Sequence, residues 1–219
     1  EKINHGVMLA GTSRVGKDLL LSPIRCGVGA NNVCEPSALE LEEVYTEYLH
    51  HSKLIVFQEM GNLNVVKTEN KLKPMLASPP DELRVRRFHQ GFYTTPNIVQ
   101  VIFMSNYKDA IHISKGDGLY FAIWTDAIPK TSEYYETFFH WLENGGNEKV
   151  IQWLLKRVLT HFKPKAPAPM TKFKSSLINE SQSSLADLLG QMINEFQKPF
   201  NSDLITPTGL FNFFSKKYT

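Results

Sequence analysis

No run of apolar residues in this 219-residue chain approaches the ~20 needed to cross a bilayer as a helix, so the sequence offers no membrane-spanning helix. It has only two cysteines, Cys26 and Cys34, and no C-x-x-C pair, which excludes a disulfide framework and a cysteine zinc site and suits a reducing cytosol. The seven histidines are scattered; His50-His51 is the one cluster and lacks metal-ligand spacing. Net charge is only +2, so no global excess announces a nucleic-acid partner. No secretory leader is expected, and the sequence shows no internal repeat. What remains is ordinary globular composition, 42% hydrophobic and 21% charged, at a length that holds one sizeable domain and a small appendage. The first residue is Glu1 rather than Met, so the chain is expected to be a piece of a longer, cytoplasmic protein.

What is present is concentrated near the start. Gly11-Thr12-Ser13-Arg14-Val15-Gly16-Lys17-Asp18 fits the phosphate-binding pattern G-x-x-x-x-G-K-S/T except at the last position, where Asp18 stands for the hydroxyl residue. His5 to Ala10 reads as a short buried strand, and Asp18 to Ile24 as the opening of a helix. A strand, a glycine-bounded turn and a helix start aim several backbone N–H groups at one point. Lys17 adds a positive charge within reach of the outer phosphates. Residues Gly11 to Leu19 are therefore the candidate nucleotide-binding loop.

Downstream, Ser37-Ala38-Leu39-Glu40 has the form of a capping box, and Leu41, Val44, Tyr45 and Tyr48 continue at helical spacing. Leu54 to Phe57 is a continuous apolar strand that ends at Gln58-Glu59, and Ile98 to Ser105 is another that ends at Asn106. Residues 62–76 look helical or irregular. Between the two strands, Leu83 and Val85 alternate with Arg84 and Arg86, and His89-Gln90-Gly91 supplies a hairpin turn. Leu119 to Trp124 is a last strand. Two helices follow, one through Tyr135, Phe138, Phe139 and Leu142, stopped at Gly145-Gly146, and one from Val150 to Phe162 with Asn147 as N-cap. Lys163 to Pro169 reads as an extended linker, followed by a helix over Leu185 to Phe196 and a short one over Thr208 to Lys217. The expected architecture is an α/β P-loop core over 1–129, a helical extension over 130–163, and a linker with a small helical C-terminal region over 164–219.

Nucleotide hydrolysis needs a phosphate cradle, a metal, a group that orients or deprotonates water, and charge stabilisation. Glu59 falls where a strand-end acid can face the γ-phosphate and act as base. The usual acid pair is reduced here to Gln58-Glu59, so Asp18 is expected to share magnesium binding with Glu59. Asn106 ends the neighbouring strand and can hydrogen-bond the γ-phosphate or the attacking water. Arg84, Arg86, Arg87 and His89, interleaved with Phe88, Phe92 and Tyr93, are candidate contacts to a nucleic-acid strand.

Taken together, these residues resemble the helicase part of phage and poxvirus-type primase-helicases, in helicase superfamily 3. The resemblance runs from about Gly6 to Thr171. It is carried by Val15-Gly16-Lys17-Asp18-Leu19-Leu20, Leu54 to Glu59, Ala77-Ser78-Pro79-Pro80 with Leu83-Arg84-Val85, and Pro96-Asn97 before Phe103-Met104-Ser105-Asn106. Trp141 to Gly146 and Phe162 to Pro167 extend it. It implies an AAA+-type ATPase that binds ATP and Mg2+ and forms a homo-oligomeric ring, usually a hexamer, around DNA. Such a protein moves along single-stranded DNA and commonly follows a primase or primase-polymerase domain in the same polypeptide. Lys17 would hold phosphate, Glu59 would be the base and Asn106 the sensor, with the arginine-bearing hairpin toward the channel.

One segment departs from the pattern. Family members often carry Asp-Arg-Arg after the sensor strand, whereas this chain reads Lys115-Gly116-Asp117-Gly118-Leu119-Tyr120. An arginine finger is worth ~10³–10⁵ in rate. Either Lys115, Arg87 or Arg157 substitutes, or hydrolysis is slow or lost. The alternative reading is therefore a ring-forming DNA-binding or nucleotide-binding scaffold with weak or no ATP hydrolysis.

Overall fold

Five apolar segments, each flanked by polar or turn-forming residues, assemble into one parallel sheet. The structure, a computed structural model, describes residues 2–41, 43–59, 65–108, 110–111, 113–201 and 204–217. The strands are β1 (Gly6–Gly11), β2 (Val33–Cys34), β3 (Leu54–Phe57), β6 (Gln100–Ser105) and β7 (Tyr120–Thr125). Their order is β2-β3-β6-β1-β7, and every pairing is parallel. The register aligns Ala10 with Ser105 and Phe57 with Phe103, so the C-terminal ends of β1, β3 and β6 form one edge. Two further strands, β4 (Glu82–Arg86) and β5 (Phe92–Pro96), make a separate antiparallel hairpin. This is an α/β fold with a P-loop NTPase core.

A parallel sheet must be covered on both faces, which is why β3 is buried at all four positions. Helix α1 (Leu21–Val28) lays Leu21, Ile24 and Val28 against Leu9, Leu54, Val56, Ile102 and Met104. The opposite face carries Met8, Ile55, Phe57, Val101 and Phe103, all buried, with the Phe57 and Phe103 rings stacked at 5.8 Å. Helix α2 (Val65–Leu76) buries Leu72, Met75 and Leu76, and Leu76 lies so near Gly6 that a Cβ there would meet its Cδ2 at 2.7 Å. The helical reading of residues 62–76 holds from Val65 onward; 62–64 lie outside the described residues.

The structure departs from several sequence expectations. The capping box is present, with Glu40 Oε2 accepting from Ser37 N at 2.6 Å and from Ser37 Oγ at 2.9 Å. It opens only a 3-10 turn at Ala38–Leu41, with a second at Glu47–Leu49, and no α-helix. The reason is tertiary. Thr46 N donates to Arg86 O at 3.0 Å and Thr46 Oγ1 accepts from Arg86 N at 3.0 Å, so the hairpin takes the backbone donor that a helix would have used at Thr46. The expected stop at Gly145-Gly146 is present: after helix α3 (Ser132–Trp141) the chain kinks at Asn144 and Gly145, where Gly145 has φ 88°, and Gly146 leaves no room for a Cβ beside the Trp141 carbonyl. Helix α4 (Asn147–Leu155) ends before Val158, Leu159 and Phe162, which are exposed. Asn147 does not cap it: Gly146 holds that position, and the Asn147 amide instead accepts from Ser22 Oγ at 3.0 Å, tying α4 to α1.

Residues 163–169 do not hang free. Asn4 N donates to Pro164 O at 2.9 Å, and Ala168, buried, donates to Gly118 O at 2.8 Å. Helix α5 (Lys172–Asn194) is longer than the sequence pattern suggested, and it starts with a buried lysine. Lys174 Nζ lies 3.0 Å from Asp117 Oδ1 and donates to Asp117 O at 2.7 Å. The same carboxylate accepts from Leu119 N and Tyr120 N at 3.0 and 3.1 Å. The chain divides into two compact units, Glu1–Leu177 and Ile178–Thr219. The second holds the rest of α5 and helix α6 (Pro207–Lys217), with Gln197 N returning to Met192 O at 2.9 Å.

Removing one member of a buried ion pair strands the other. Lys174→Met is expected to cost the first unit about 3 kcal/mol, with a larger loss than Lys172→Met on the same turn. Urea unfolding of the two variants checks this; equal midpoints would sink the assignment.

Candidate nucleotide-binding site

The loop between β1 and α1 is built by its glycines. Gly11 closes β1 against Thr125 with no space for a Cβ, and Gly16 sits at φ 86°. Arg14 also has positive φ, 62°, an uncommon conformation for a residue with a side chain. The chain then makes a 3-10 turn at Lys17–Leu20 before α1, so the helix begins three residues later than the sequence suggests. Tyr135 of α3 pins this loop from outside. Its hydroxyl donates to Arg14 O at 3.1 Å and accepts from Lys130 N at 3.1 Å.

Lys17 is folded onto its own loop. Its Nζ donates to Gly11 O and Thr12 O, each at 2.8 Å, and to Asn106 Oδ1 at 2.7 Å. Burial holds its ammonium below the usual lysine range, and the neighbouring Asp18 carboxylate opposes that shift. Thus two of the three catalytic candidates, Lys17 from the loop and Asn106 from the end of β6, are in direct contact. Glu59, the third, stands one residue beyond Gln58 at the end of β3, exposed and at φ 52°.

Residues Ser13 to Leu19, together with Gln58, Glu59 and Asn106, line one cavity of about 880 Å³. Gly11 and Thr12 do not line it; they contribute the carbonyls that hold Lys17. Asp18 accepts from Gln58 Nε2 at 3.1 Å. Among the described residues no three His, Cys, Asp or Glu side chains form a metal cluster. Magnesium usually takes one or two carboxylates, with phosphate oxygens and water completing its shell. Asp18 and Glu59 provide oxygen donors of that kind at the rim of the cavity.

Two residues at this site were not legible from sequence, Arg25, which lines the cavity, and Glu35 beside it. Glu35 directly follows β2, a strand of two residues, and so is a further polar group on the same sheet edge. Arg25 of α1 pairs with it, Nε to Oε1 at 2.6 Å. Of the cations considered as replacements for the absent arginines, Arg87 is paired with Glu47 at 2.9 Å and Arg157 lies over the Trp153 ring at 5.8 Å. Neither these nor Lys115 lines the cavity.

The candidate strand-binding residues lie on the hairpin, apart from the cavity. The Arg84 guanidinium is 4.0 Å from the Phe92 ring, and Arg86 lies between Phe92 and Tyr45, 5.2 and 5.5 Å away. His89 takes the left-handed position of the turn, φ 54°, with its ring against Phe88. One residue along β5 from Phe92, the Tyr93 hydroxyl meets His50 Nδ1. Burial and the adjacent His51 and Arg87 hold the His50 imidazole below its ordinary pKa, against the pull of Glu47. Burial raises that of Tyr93.

Comparisons with known proteins agree with the fold. The sequence profile of a family described as "Family of unknown function (DUF5906)" matches residues 9–118, half of the chain. No curated protein matches. Among solved structures, the apo C-terminal region of NrS-1 (305–718) is similar at TM-score 0.64 and 15% identity. A second form of that region gives TM-score 0.65 and 14% identity. All of this chain is covered, against 55% and 54% of those chains, so it spans about half the length of the structures it matches. At this identity the similarity concerns the fold.

Tyr135→Phe removes one hydroxyl that holds two backbone segments. Amide exchange at Arg14 to Lys17 is expected to speed up, with a loss of about 1 kcal/mol in overall stability. For His50, the unfolded chain binds the proton first because the folded pKa is the lower one. Its contribution is therefore present above about pH 6.5 and lost as pH falls through the folded value. Amide protection in β5 is expected to hold above about pH 6.5 and to drop as pH falls below it, and His50→Gln to remove most of that dependence.

Proposed function

The chain belongs to the family of unknown function DUF5906, and we propose that it is an ATP-binding, ATP-hydrolysing module that moves along single-stranded DNA. The observation that carries this reading is the Lys17–Asn106 contact of 2.7 Å. It joins a phosphate-loop lysine to a strand-end amide on the strand inserted between β1 and β3. An amide in that position stands at the C-terminal edge of the sheet beside the loop. It suits a group that detects the outermost phosphate and the water beside it.

In this reading ATP enters the 880 Å³ cavity with its phosphates over residues Gly11 to Leu19. Lys17 leaves its carbonyl partners for the phosphate oxygens, and Asn106 turns its amide toward the γ-phosphate. Asp18 and Glu59 would hold magnesium, which would supply neutralisation of the phosphate charge. Glu59, at the exposed end of β3, takes the proton from water. Arg84, Arg86, Arg87 and His89 contact the DNA backbone, and Phe88 and Phe92, both exposed, offer stacking faces. Low net charge argues for a homo-oligomeric ring, whose repeated weak contacts add by multivalency. A primase or polymerase domain of the same polypeptide would supply the fork.

A second reading is favoured by one observation. The segment where the resemblance puts arginines is consumed by structure, with Asp117 committed to Lys174, Leu119 and Tyr120. A ring that binds nucleotide or DNA with weak or no turnover follows if nothing replaces them.

Magnesium-dependent ATP hydrolysis by size-resolved oligomers, with and without single-stranded DNA, separates the two. DNA-stimulated turnover reduced about 100-fold or more by Lys17→Ala and by Glu59→Gln is the expected result. A ring that binds DNA and shows no turnover would establish the scaffold reading instead.

A further inference from the structure

Phosphoryl transfer gathers negative charge on the γ-phosphoryl oxygens, and a cation besides the loop lysine has to meet it. Arg25 is the arginine of the cavity whose position is built by other side chains. It lies eight residues after Lys17, and Asp18, Ser22 and Arg25 all face the cavity at i, i+4 and i+7. Its guanidinium grips Glu35 through two contacts, Nε to Oε1 at 2.6 Å and Nη2 to Oε2 at 2.9 Å. Glu35 Oε2 also accepts from Gln58 Nε2 at 3.3 Å, and that same nitrogen donates to Asp18 at 3.1 Å. An unbroken chain of side chains, Arg25–Glu35–Gln58–Asp18, therefore crosses the ends of β2 and β3 and stops beside Lys17.

We infer that Arg25 is the γ-phosphate-reading cation of this site and that Glu35 is the counter-anion that holds it while no γ-phosphate is present. The inference rests on the nucleotide reading above. A guanidinium fork fits the two oxygens of a carboxylate and those of a phosphate equally well, so exchanging one for the other takes rotation of a long side chain and no backbone motion. The energetics allow the exchange. The side chains of Arg25 and Glu35 are 30% and 36% exposed, and a pair that open to water is worth no more than about 1 kcal/mol. A phosphate group of higher charge displaces such a carboxylate. Gln58 gives the exchange its link to the rest of the site. When Asp18 takes another partner, the amide loses one of the two acceptors that fix it, and its hold on Glu35 weakens.

The test is the affinity of this chain for a non-hydrolysable ATP analogue and for ADP, with magnesium, by titration calorimetry. Arg25→Ala is expected to lower the triphosphate-to-diphosphate preference about tenfold while ADP binding changes less than about twofold. Arg25→Lys, which keeps charge without the fork, is expected to fall between. Glu35→Gln is expected to raise the preference, because it releases the guanidinium. The opposite signs are diagnostic: an ion pair that only stabilises the fold would make both variants shift both nucleotides the same way. An unchanged preference in Arg25→Ala, or a Glu35→Gln variant that follows it downward, would overturn the inference and leave the nucleotide reading standing. Wild-type chain that binds neither nucleotide would instead remove the nucleotide reading on which it rests.

Discussion

The placement of β6 between β1 and β3 is the constraint on which the rest depends. A sheet strand adds about 4.8 Å of width. Inserting one there separates the phosphate loop from the β3 acid by two strand spacings and fills the gap with the end of β6. Asn106 then stands within hydrogen-bond reach of Lys17, while Gln58 and Glu59 stand one strand further and Glu35 one further still. The polar edge of the sheet is thus a graded row, cation at β1, amide at β6, amide and acid at β3, acid at β2. Parallel strands make the row possible because all of their C-terminal ends emerge on one side.

Much of this row could be read from the sequence, because its members follow long apolar runs. Leu54 to Phe57 and the run ending at Ser105 are unambiguous, so Glu59 and Asn106 could be placed at strand ends before any coordinates. Glu35 escaped because Val33–Cys34 is too short to carry a periodic signal. Arg25 escaped because nothing in its neighbours distinguishes a cavity-facing helix residue from a solvated one. Tyr135 fits the apolar spacing of a helix face, and its spacing does not disclose the hydroxyl that bonds Arg14 and Lys130.

The larger errors of reading have one cause, competition for backbone groups over long sequence separations. Residues 37–48 carry a capping box and apolar residues at helical spacing, yet Thr46 pairs with Arg86, forty positions away. The Lys163–Pro169 stretch looks like a spacer by composition, yet its carbonyls and amides bond Asn4 and Gly118. Local propensity is a weak prior wherever a distant partner offers better hydrogen bonds.

The resting position of Lys17 has a consequence for what the loop admits. Its ammonium is shared among three oxygen acceptors, two carbonyls and one amide. Any anion that draws it away must offset the loss of those contacts, each of a charge-assisted kind worth about 1.5–3 kcal/mol. A lone inorganic phosphate or sulfate touches too few groups to do so. On the proposed nucleotide reading a polyphosphate chain does, because it would meet the loop amides along its length while it takes the ammonium. In that reading the closed lysine is a threshold that favours the longer ligand over simple anions.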